Sequence, residues 1–343
     1  MHMKFTKLVL ITFFLGTVSL SGSFAQEYPD LFSTEEPLEL QMSLSVKEVR
    51  KETNDSTYME TFLRYKNTEG AWDSLKIDVR TRGNFRLNNC FYPPLRVKIK
   101  KKDRKNTPFE GHKDLKLVIP CTKVKNANDF IAKEYLAYKI YEEVAEYTFQ
   151  TRLLNISFFN LDNRKNESIE MIGFFIEDDD KVADRFEGEI YDDKRLAPNF
   201  MDAPTSARHD FFQFLIGNTD WSNMFMHNEK VLRLPGEKFV PLAYDFDMCG
   251  LVNPPYAQVS NLVDIEKITD RLYRGYCRGE PLLQAVREEF LAKESAILAL
   301  VDSQLYLNEK DAKTVKSFID DFFDVLKSDR LYESEILQTC RAI

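Results

Sequence analysis

Two polar stretches in the second half of the chain carry carboxylate and amide side chains at a spacing that could bind a metal ion and accept a proton. They are "GNTDWSNMFMHN" (217–228), with Asp220, Asn223 and Asn228, and "PLAYDFDMCG" (241–250), with Asp245 and Asp247. One Asp and one Asn together offer the hard oxygen ligands that suit Mg²⁺, which keeps several waters and bridges phosphates. A separate Asp that does not bind the metal can accept the proton of an incoming hydroxyl group. These residue types therefore suit phosphoryl transfer from a nucleotide.

A predicted β-hairpin connects the two stretches, with "EKVLRL" and "KFVPLAYDFD" as its strands and Gly236 in its turn. Because a hairpin returns its second strand beside its first, Asn228, before the first strand, and Asp245, at the end of the second, should lie close together. The competing interpretation is that Asp220 and Asn223 only form turns or caps, where Asp and Asn are favoured. The "YDFD" stretch weakens that interpretation, since carboxylates ending an apolar strand are costly to bury unless they are paired or bound to a metal.

The first half of the chain offers cationic side chains that could hold phosphate groups. "RGNFR" (82–86) places Arg82 in a predicted turn between strands, and arginine can bind phosphate oxygens in a bidentate manner. On the predicted strand "LRVKIKK", Lys98 lies on the face opposite the apolar residues. A lysine of this strand could pair with Glu134 on the following helix and position nucleotide phosphates. The alternatives are surface arginines beside a turn glycine and an exposed edge strand protected by its lysines.

Composition and periodicity together indicate the fold class. The 343 residues include 55 acidic and 47 basic side chains, for a net charge of −8, and 43% of them are hydrophobic. This mild acidity argues against nucleic-acid binding, which usually concentrates Lys and Arg on one face. Short alternating runs predict strands over 36–120, and helical periodicity appears over 126–146 and again from about 205. We therefore predict a β-rich N-lobe with one helix (26–178) and a helical C-lobe (179–343) that carries both polar stretches.

The first 25 residues have the pattern of a secretory signal peptide. Basic "MHMKFTK" precedes apolar "LVLITFFLGTVSL" and a group of small residues around Ala25. The apolar run is short for a membrane span, so the pattern predicts cleavage after Ala25. We therefore expect a periplasmic or secreted protein with no transmembrane segment in the mature chain.

Export makes disulfides plausible for the five cysteines. Cys90 and Cys121 flank one predicted β region, which makes them the first candidate pair. Cys249 with Cys277 is the second candidate. The odd number leaves at least one thiol free or paired between chains.

Several segments, in their order along the chain, resemble the CotH-type (spore coat protein H-like) atypical protein kinase family, especially its exported members. They are "RGNFR", "EYLAYKIY", "GFFIED", "GNTDWSNMFMHN" and "YDFDMCG". The resemblance extends from about residue 75 to 280 and is most specific at the last two motifs. It implies an α+β, two-lobed atypical protein-kinase-like fold that binds ATP with Mg²⁺ or Mn²⁺ and phosphorylates Ser or Thr of a protein substrate.

The resemblance also implies roles for individual residues. Asp220 corresponds to the catalytic Asp, Asn228 and Asp245 to the metal ligands, and Asp247 to an assisting ligand. Arg82, Lys98 and Glu134 are the candidate nucleotide-binding residues. The segment from Asp220 to Asn228 is longer than in typical kinase catalytic loops, so Asn223 is an alternative metal ligand.

Two other classes of function compete with a kinase, because export places the protein where ATP is scarce. The first is a non-catalytic envelope or surface protein that binds a ligand on a degenerate kinase scaffold. The second is a metal-dependent hydrolase that uses Asp220, Asp245 and Asp247. The sequence has no GxSxG or HExxH motif, and we interpret His209 and His227 as structural residues.

Overall fold

The computed structural model describes residues 28–83, 85–164, 167–193, 195–260 and 262–343, so the predicted signal peptide lies outside the described residues. The strands in these ranges are β1 (Leu38–Leu44), β2 (Met59–Lys66), β3 (Trp72–Thr81), β4 (Leu95–Lys98), β5 (Asp114–Val118), β6 (Thr151–Asn160), β7 (Ser168–Ile176), β8 (Glu189–Ile190), β9 (Glu229–Leu234) and β10 (Lys238–Ala243). The α-helices in the same ranges are α1 (Val46–Glu52), α2 (Phe85–Asn89), α3 (Lys101–Arg104), α4 (Ala127–Val144), α5 (Asp179–Arg185), α6 (Ala203–Leu215), α7 (Glu280–Asp302), α8 (Glu309–Lys327) and α9 (Asp329–Tyr332).

Strands β1 to β7 close into a barrel in the order β1-β2-β3-β4-β5-β7-β6. Most neighbouring strands are antiparallel, whereas β1 and β6 are parallel, with Leu38 opposite Leu154 and Leu44 opposite Asn160. Side chains alternate between the two faces of each strand, and the apolar set points into the barrel. A separate apolar core therefore fills the barrel, and Val79 and Leu95 in it are fully buried.

The predicted α+β, two-lobed protein-kinase-like fold is wrong for this chain. In the part of the chain that the structure describes, the β-rich segment closes into a mixed seven-stranded barrel, and most of the long helices follow it in the C-terminal region. Helix α4, which was assigned to the first lobe, packs through Leu136 and Ile140 in the same apolar core as α6, α7 and α8. The barrel closes through the pairing of β1 with β6, two segments far apart in the sequence, and the alternation pattern of a strand does not specify its partner.

Helix α4 confirms the helix predicted from periodicity over 126–146, with bounds of Ala127–Val144. Residues three and four apart share one face of a helix, and here Glu134, Tyr138 and Tyr141 lie on the face toward the β9–β10 hairpin. The Tyr141 hydroxyl donates to the carbonyl oxygen of Pro241 at 3.3 Å. The Tyr138 hydroxyl accepts from the backbone N–H of Asp245 at 2.9 Å. Helix α4 therefore anchors strand β10 and the segment after it, in which the predicted metal ligands Asp245 and Asp247 lie.

The predicted hairpin is also confirmed, although its second strand ends at Ala243 rather than at Asp247. Strands β9 and β10 pair antiparallel, with Glu229 opposite Ala243 and Leu234 opposite Lys238. Gly236 in the turn has φ +79°, a left-handed conformation that glycine adopts without a steric penalty. Strand β8 pairs with the other side of β9 and completes a three-stranded sheet.

Two disulfides are present among the described residues. The predicted Cys90–Cys121 bond is confirmed. The second candidate, Cys249 with Cys277, is wrong, because Cys277 pairs with Cys340 while Cys249 is buried and free. Of the helices in the described ranges, none combines the length and apolar character needed to cross a membrane.

Candidate active site

The loop that carries Asp220 is fixed by the end of helix α6. Gly217 has φ +61° and turns the chain out of the helix. The side chain of Asn218 then donates to Gln213 at 2.9 Å and accepts from the backbone N–H of Asp220 at 3.0 Å. The carbonyl oxygen of Asn218 accepts from Trp221 Nε1 at 3.0 Å. Asn218 therefore connects Asp220 and Trp221 to Gln213 at the end of helix α6, and this orients Asp220.

The carboxylate of Asp220 is held by two neighbours. Its Oδ1 lies 3.0 Å from His227 Nε2, and its Oδ2 accepts from Asn228 Nδ2 at 2.9 Å. The hydrogen bond from His227 is the largest influence that lowers the pKa of Asp220, and the same bond raises the pKa of His227. The side chain of Asp220 is 39% exposed and that of His227 is 58% exposed. Asp220 is thus an ionised carboxylate in contact with solvent, and His227 is its hydrogen-bond partner.

The hairpin brings Asn228 to the end of β10, as its register requires. The backbone N–H of Tyr244 donates to the carbonyl oxygen of Asn228 at 3.2 Å, so Asp245 is one residue beyond that contact. Asn228 has φ +53° and Asp245 has φ +67°. Asn and Asp tolerate this left-handed region better than other non-glycine residues, but it still costs free energy. Asn228 and Asp245, two predicted metal ligands on opposite sides of the hairpin, therefore both have uncommon backbone conformations.

Behind Asp245, a buried arginine lies between two carboxylates. Arg86 Nη1 is 3.9 Å from Glu134 Oε2, and Arg86 Nε is 3.7 Å from Asp247 Oδ2. Nη2 of Arg86 donates to the carbonyl oxygen of Ile119 at 2.8 Å. Arg86, Glu134 and Asp247 are 6%, 1% and 3% exposed. Nε and Nη1 of Arg86, Oε1 of Glu134 and Oδ2 of Asp247 have no hydrogen-bond partner among the described residues. The cluster therefore retains polar atoms able to bind a ligand.

The acids of this cluster hold protons more tightly than usual. Burial, followed by the charge of Asp247, raises the pKa of Glu134 well above its ordinary value, and Arg86 opposes this. Burial and the charge of Asp245 raise the pKa of Asp247 to about 6, against the opposing charge of Arg86. A divalent cation would relieve this accumulation of negative charge, because opposite charge favours the ionised carboxylates.

The predicted cationic residues lie in different places. Arg82 Nε donates to the carbonyl oxygen of Leu95 at 3.2 Å, and its charge lowers the pKa of both Glu134 and Asp247. Lys98 instead has its Nζ 5.3 Å from the ring centre of Tyr58. The predicted pairing of a lysine of this strand with Glu134 is wrong, because Arg86 occupies that position.

Sequence reasoning missed the position of Arg86, although it lies in the "RGNFR" motif four residues after Arg82. It also missed Lys116 on β5. This lysine is buried, pairs with Asp179, and has its Nζ 4.7 Å from the ring centre of Phe149 and 5.0 Å from that of Tyr244. Burial lowers the pKa of Lys116 against the opposing charge of Asp179. The only signal in the sequence was a cation within the apolar run "LKLVIP".

Asn223, the alternative metal ligand, is 1% exposed, and neither polar atom of its side chain has a hydrogen-bond partner among the described residues. Asn228, by contrast, contacts Asp220 directly and lies beside the end of β10. The amide nitrogen of Asn228 is used as a donor to Asp220, so Oδ1 is the atom with which it could bind a cation.

The donor set fits a divalent cation of the Mg²⁺ type in kind and number. Asp245, Asp247 and Asn228 offer hard oxygens, and Oδ2 of Asp247 is buried without a hydrogen-bond donor from the described residues. The described residues contain no group of three or more His, Cys, Asp or Glu side chains arranged to hold a metal. Mg²⁺ does not require such a group, because it is usually bound by one or two carboxylates together with phosphates and waters.

Comparison with known proteins adds little to this description. No protein family model matches the chain, and no curated protein matches it. Among solved structures, the crystal structure of a Helicobacter pylori proinflammatory kinase, CtkA, aligns with a TM-score of 0.42 and 12% sequence identity, covering 76% of this chain and 95% of that chain. At these values the likeness assigns neither a fold nor an activity to this chain.

Proposed function

We propose that this protein is a metal-dependent phosphotransferase that moves the terminal phosphoryl group of ATP to a Ser or Thr hydroxyl of a protein. The observation that carries the proposal is the position of Asn228. Its side chain donates to Asp220 at 2.9 Å, and its backbone carbonyl pairs with Tyr244 directly before Asp245. A proton acceptor and a metal ligand are thereby connected through one residue, as phosphoryl transfer requires.

Asn228, Asp245 and Asp247 would hold Mg²⁺ or Mn²⁺, which when bound neutralises charge on the phosphate oxygens. Arg82 and Arg86 would contact the phosphates, since Nε and Nη1 of Arg86 have no hydrogen-bond acceptor among the described residues. Lys98 and Glu134 stay predictions as nucleotide contacts.

Asp220 would accept the proton of the acceptor hydroxyl while the hydroxyl oxygen forms its bond to phosphorus and the bond from phosphorus to the ADP oxygen breaks. The lowered pKa of Asp220 keeps its carboxylate ionised and ready to accept that proton. Its exposure gives a hydroxyl-bearing side chain access to the site. The resemblance of the "GNTDWSNMFMHN" and "YDFDMCG" motifs to CotH-type kinases supports ATP and a protein acceptor as substrates.

Calorimetry with a non-hydrolysable ATP analogue and Mn²⁺ measures binding, and phosphate incorporation from ATP measures transfer, on the wild type and three variants. Asp245→Asn should abolish metal-dependent nucleotide binding, because Mg²⁺ and Mn²⁺ would lose one of few protein ligands. Asp220→Asn should retain binding and lose transfer, because the proton acceptor acts in the chemical step. Asp324→Asn, an exposed site on α8, is the matched control and should change neither.

The outcomes separate the competing functions. Nucleotide binding without transfer to any protein acceptor favours a ligand-binding protein. Loss of inorganic phosphate from substrates without transfer favours a metal-dependent hydrolase. Absence of nucleotide binding with every divalent metal tested rejects the phosphotransferase. Export is a part of the same proposal. The intact mass of the exported protein should equal that of a chain that begins at Gln26.

A further inference from the structure

The segment Cys340–Ile343, called here the C-terminal strap, lies along residues 275–277. The strap is covalently joined to this segment by the Cys277–Cys340 disulfide. The N–H of Cys277 donates to the carbonyl oxygen of Arg341 at 2.9 Å, and the N–H of Arg341 donates to that of Gly275 at 2.8 Å. Arg341 thus forms a parallel bridge with Tyr276 directly beside the disulfide.

The side chain of Arg341 reaches the loop that carries Asp220. Its guanidinium lies 4.2 Å from the ring centre of Tyr276 and 5.4 Å from that of Trp221. Trp221 follows Asp220 in the chain, is 2% exposed, and donates to the same Asn218 that accepts from the Asp220 N–H. A cation over an aromatic ring in a desolvated place is a favourable contact. The position of Trp221, and with it that of Asp220, therefore depends on the strap.

Arg274, in the segment to which the disulfide joins the strap, also contacts the loop that carries Asp220. Its guanidinium lies 5.6 Å from the ring centre of Trp221 and donates to the carbonyl oxygens of Thr219 and, at 3.0 Å, Trp221. Arg274 is three residues before Cys277. The segment joined by the disulfide therefore contacts the backbone on both sides of Asp220.

Arg341 also acts on the second half of the site. Glu229 follows Asn228, is 0% exposed, and neither of its carboxylate oxygens has a hydrogen-bond partner among the described residues. Burial and the charge of Asp210 raise the pKa of Glu229, whereas the charge of Arg341 lowers it, and His209 Nε2 lies 3.4 Å from Oε2 of Glu229. The guanidinium of Arg341 itself has Nε and Nη2 buried without an acceptor in the described part of the chain. One strap residue thus lies beside Trp221, which follows Asp220, and its charge acts on Glu229, which follows Asn228.

The two disulfides differ in their access to solvent. Cys277 is exposed and Cys340 is half-buried, whereas Cys90 and Cys121 are 5% and 4% exposed. Thiol–disulfide exchange requires a thiolate to reach a sulfur atom, and exposed disulfides are the labile ones. A dithiol would therefore reduce Cys277–Cys340 first.

We propose that the Cys277–Cys340 disulfide is a redox latch for the Asp220 loop, with Arg341 and Trp221 as positioning residues. A dithiol attacks one sulfur to form a mixed disulfide, and its second thiol then displaces the remaining cysteine. The dithiol is oxidised to a disulfide, and its two electrons and two protons yield the thiols of Cys277 and Cys340. The strap is then held only by its backbone hydrogen bonds and by the contacts of Arg341 with Tyr276 and Trp221, so the contact between Arg341 and Trp221 loosens. The effect on catalysis rests on the proposed function, whereas the movement of the loop does not.

Trp221 fluorescence tests the latch without any assay of activity. The chain contains two tryptophans, so Trp72→Phe leaves Trp221 as the single reporter. Under native conditions, dithiothreitol should reduce Cys277–Cys340 while Cys90–Cys121 persists, as counted by thiol labelling and peptide mapping. Emission from Trp221 should shift to longer wavelength and acrylamide quenching should increase.

Variants in the same background separate the latch from a general loss of structure. Cys277→Ser with Cys340→Ser should show the reduced signals without dithiol, and Arg341→Ala should show them with the disulfide intact. Arg341→Lys should return the Trp221 emission part of the way to that of the oxidised wild type, because it keeps the positive charge. Unchanged Trp221 emission and acrylamide quenching after reduction of Cys277–Cys340 overturn the proposal, as does failure of dithiol to reduce that bond before Cys90–Cys121. If these signals change but no phosphoryl transfer is found in either redox state, the latch stands and the proposed function does not. Where transfer is found, reduction should lower kcat more than it raises the nucleotide Kd.

Discussion

His227 Nε2 lies 3.0 Å from Oδ1 of Asp220, seven residues earlier in the chain. This contact lowers the pKa of Asp220 from 3.8 and raises the pKa of His227 from 6.5. The carboxylate that the proposed reaction needs as a base is thus paired with an imidazole whose pKa this pairing raises.

Substitution His227→Gln should make stability less dependent on pH. The contribution of His227, whose folded pKa is raised, is fully present below 6.5 and is lost as pH rises through the folded value. The contribution of Asp220, whose folded pKa is lowered, is present above 3.8 and is lost as pH falls through the folded value. The melting-temperature difference between wild type and variant should therefore be largest between about pH 4 and 6.5. A difference that is constant with pH contradicts the pairing.

The same substitution should raise the pKa of Asp220, because it removes the positive charge of His227, which together with the hydrogen bond lowers that pKa. Carboxyl ¹³C NMR should show Asp220 protonating at higher pH in His227→Gln than in the wild type. The acid limb of any transfer activity should move in the same direction. His112→Gln, a change on the barrel side of the molecule at a histidine that pairs with Asp30, is the matched control and should leave the Asp220 titration unchanged.

Substitution Arg86→Met should destabilise the fold strongly at neutral pH. It removes the cation beside Glu134 and Asp247, and breaking a buried ion pair from one side costs about 3–5 kcal/mol. Arg233→Met is the control, because its two carboxylate partners are 66% exposed and such surface ion pairs contribute little to stability. Urea unfolding measures both.

The loss in Arg86→Met should become smaller as the pH falls. The pKa of Glu134 is already raised in the wild type and that of Asp247 is about 6. Both acids therefore become neutral at a pH where the unfolded chain still ionises, and a neutral acid does not need the arginine. Equal losses at pH 5 and pH 8 would show that Arg86 acts through packing alone.

Removal of the buried disulfide by Cys90→Ala with Cys121→Ala should reduce the free energy of unfolding by about 2–4 kcal/mol. It should also weaken nucleotide binding, because Cys90 directly follows helix α2, which carries Arg86, and the disulfide joins this end of the helix to Cys121. Urea unfolding and calorimetry give the two quantities. Cys277→Ser with Cys340→Ser is the comparison and should leave helix α2 in place, so a matching loss of nucleotide affinity in both pairs argues against this assignment.

The close packing around Gly173 in strand β7 should make Gly173→Ala destabilise the fold. An added Cβ would lie 2.6 Å from the carbonyl oxygen of Val118 and 2.8 Å from Ile156 Cδ1. Overpacking of this kind costs about 1–3 kcal/mol, and a backbone oxygen cannot move aside easily. Gly111→Ala, where a Cβ meets nothing within 4 Å but φ is +95°, measures the cost of a left-handed backbone by itself. Gly173→Ala should melt at a lower temperature than wild type. An unchanged melting temperature would contradict the close approach of β7 to the carbonyl oxygen of Val118.

The sequence by itself determined the local features of this protein. The periodicity of α4, the hairpin around Gly236 and the resulting proximity of Asn228 to the end of β10 follow from interactions within a few residues or across one turn. The Cys90–Cys121 pair also followed, because both cysteines flank one β region. Such features are readable because helix periodicity, strand alternation and turn residues are encoded locally.

Only the tertiary structure decided the features that join distant segments. The parallel pairing of β1 with β6 made a closed barrel out of strands expected in a two-lobed fold. Arg86 rather than a lysine of β4 lies beside Glu134, and Cys340 rather than Cys249 pairs with Cys277. For each strand, charge and thiol, the local sequence allowed several partners with similar free energy. The packing of complete elements selects between them, because partners of a strand, a buried charge or a thiol are set by the arrangement of the whole chain.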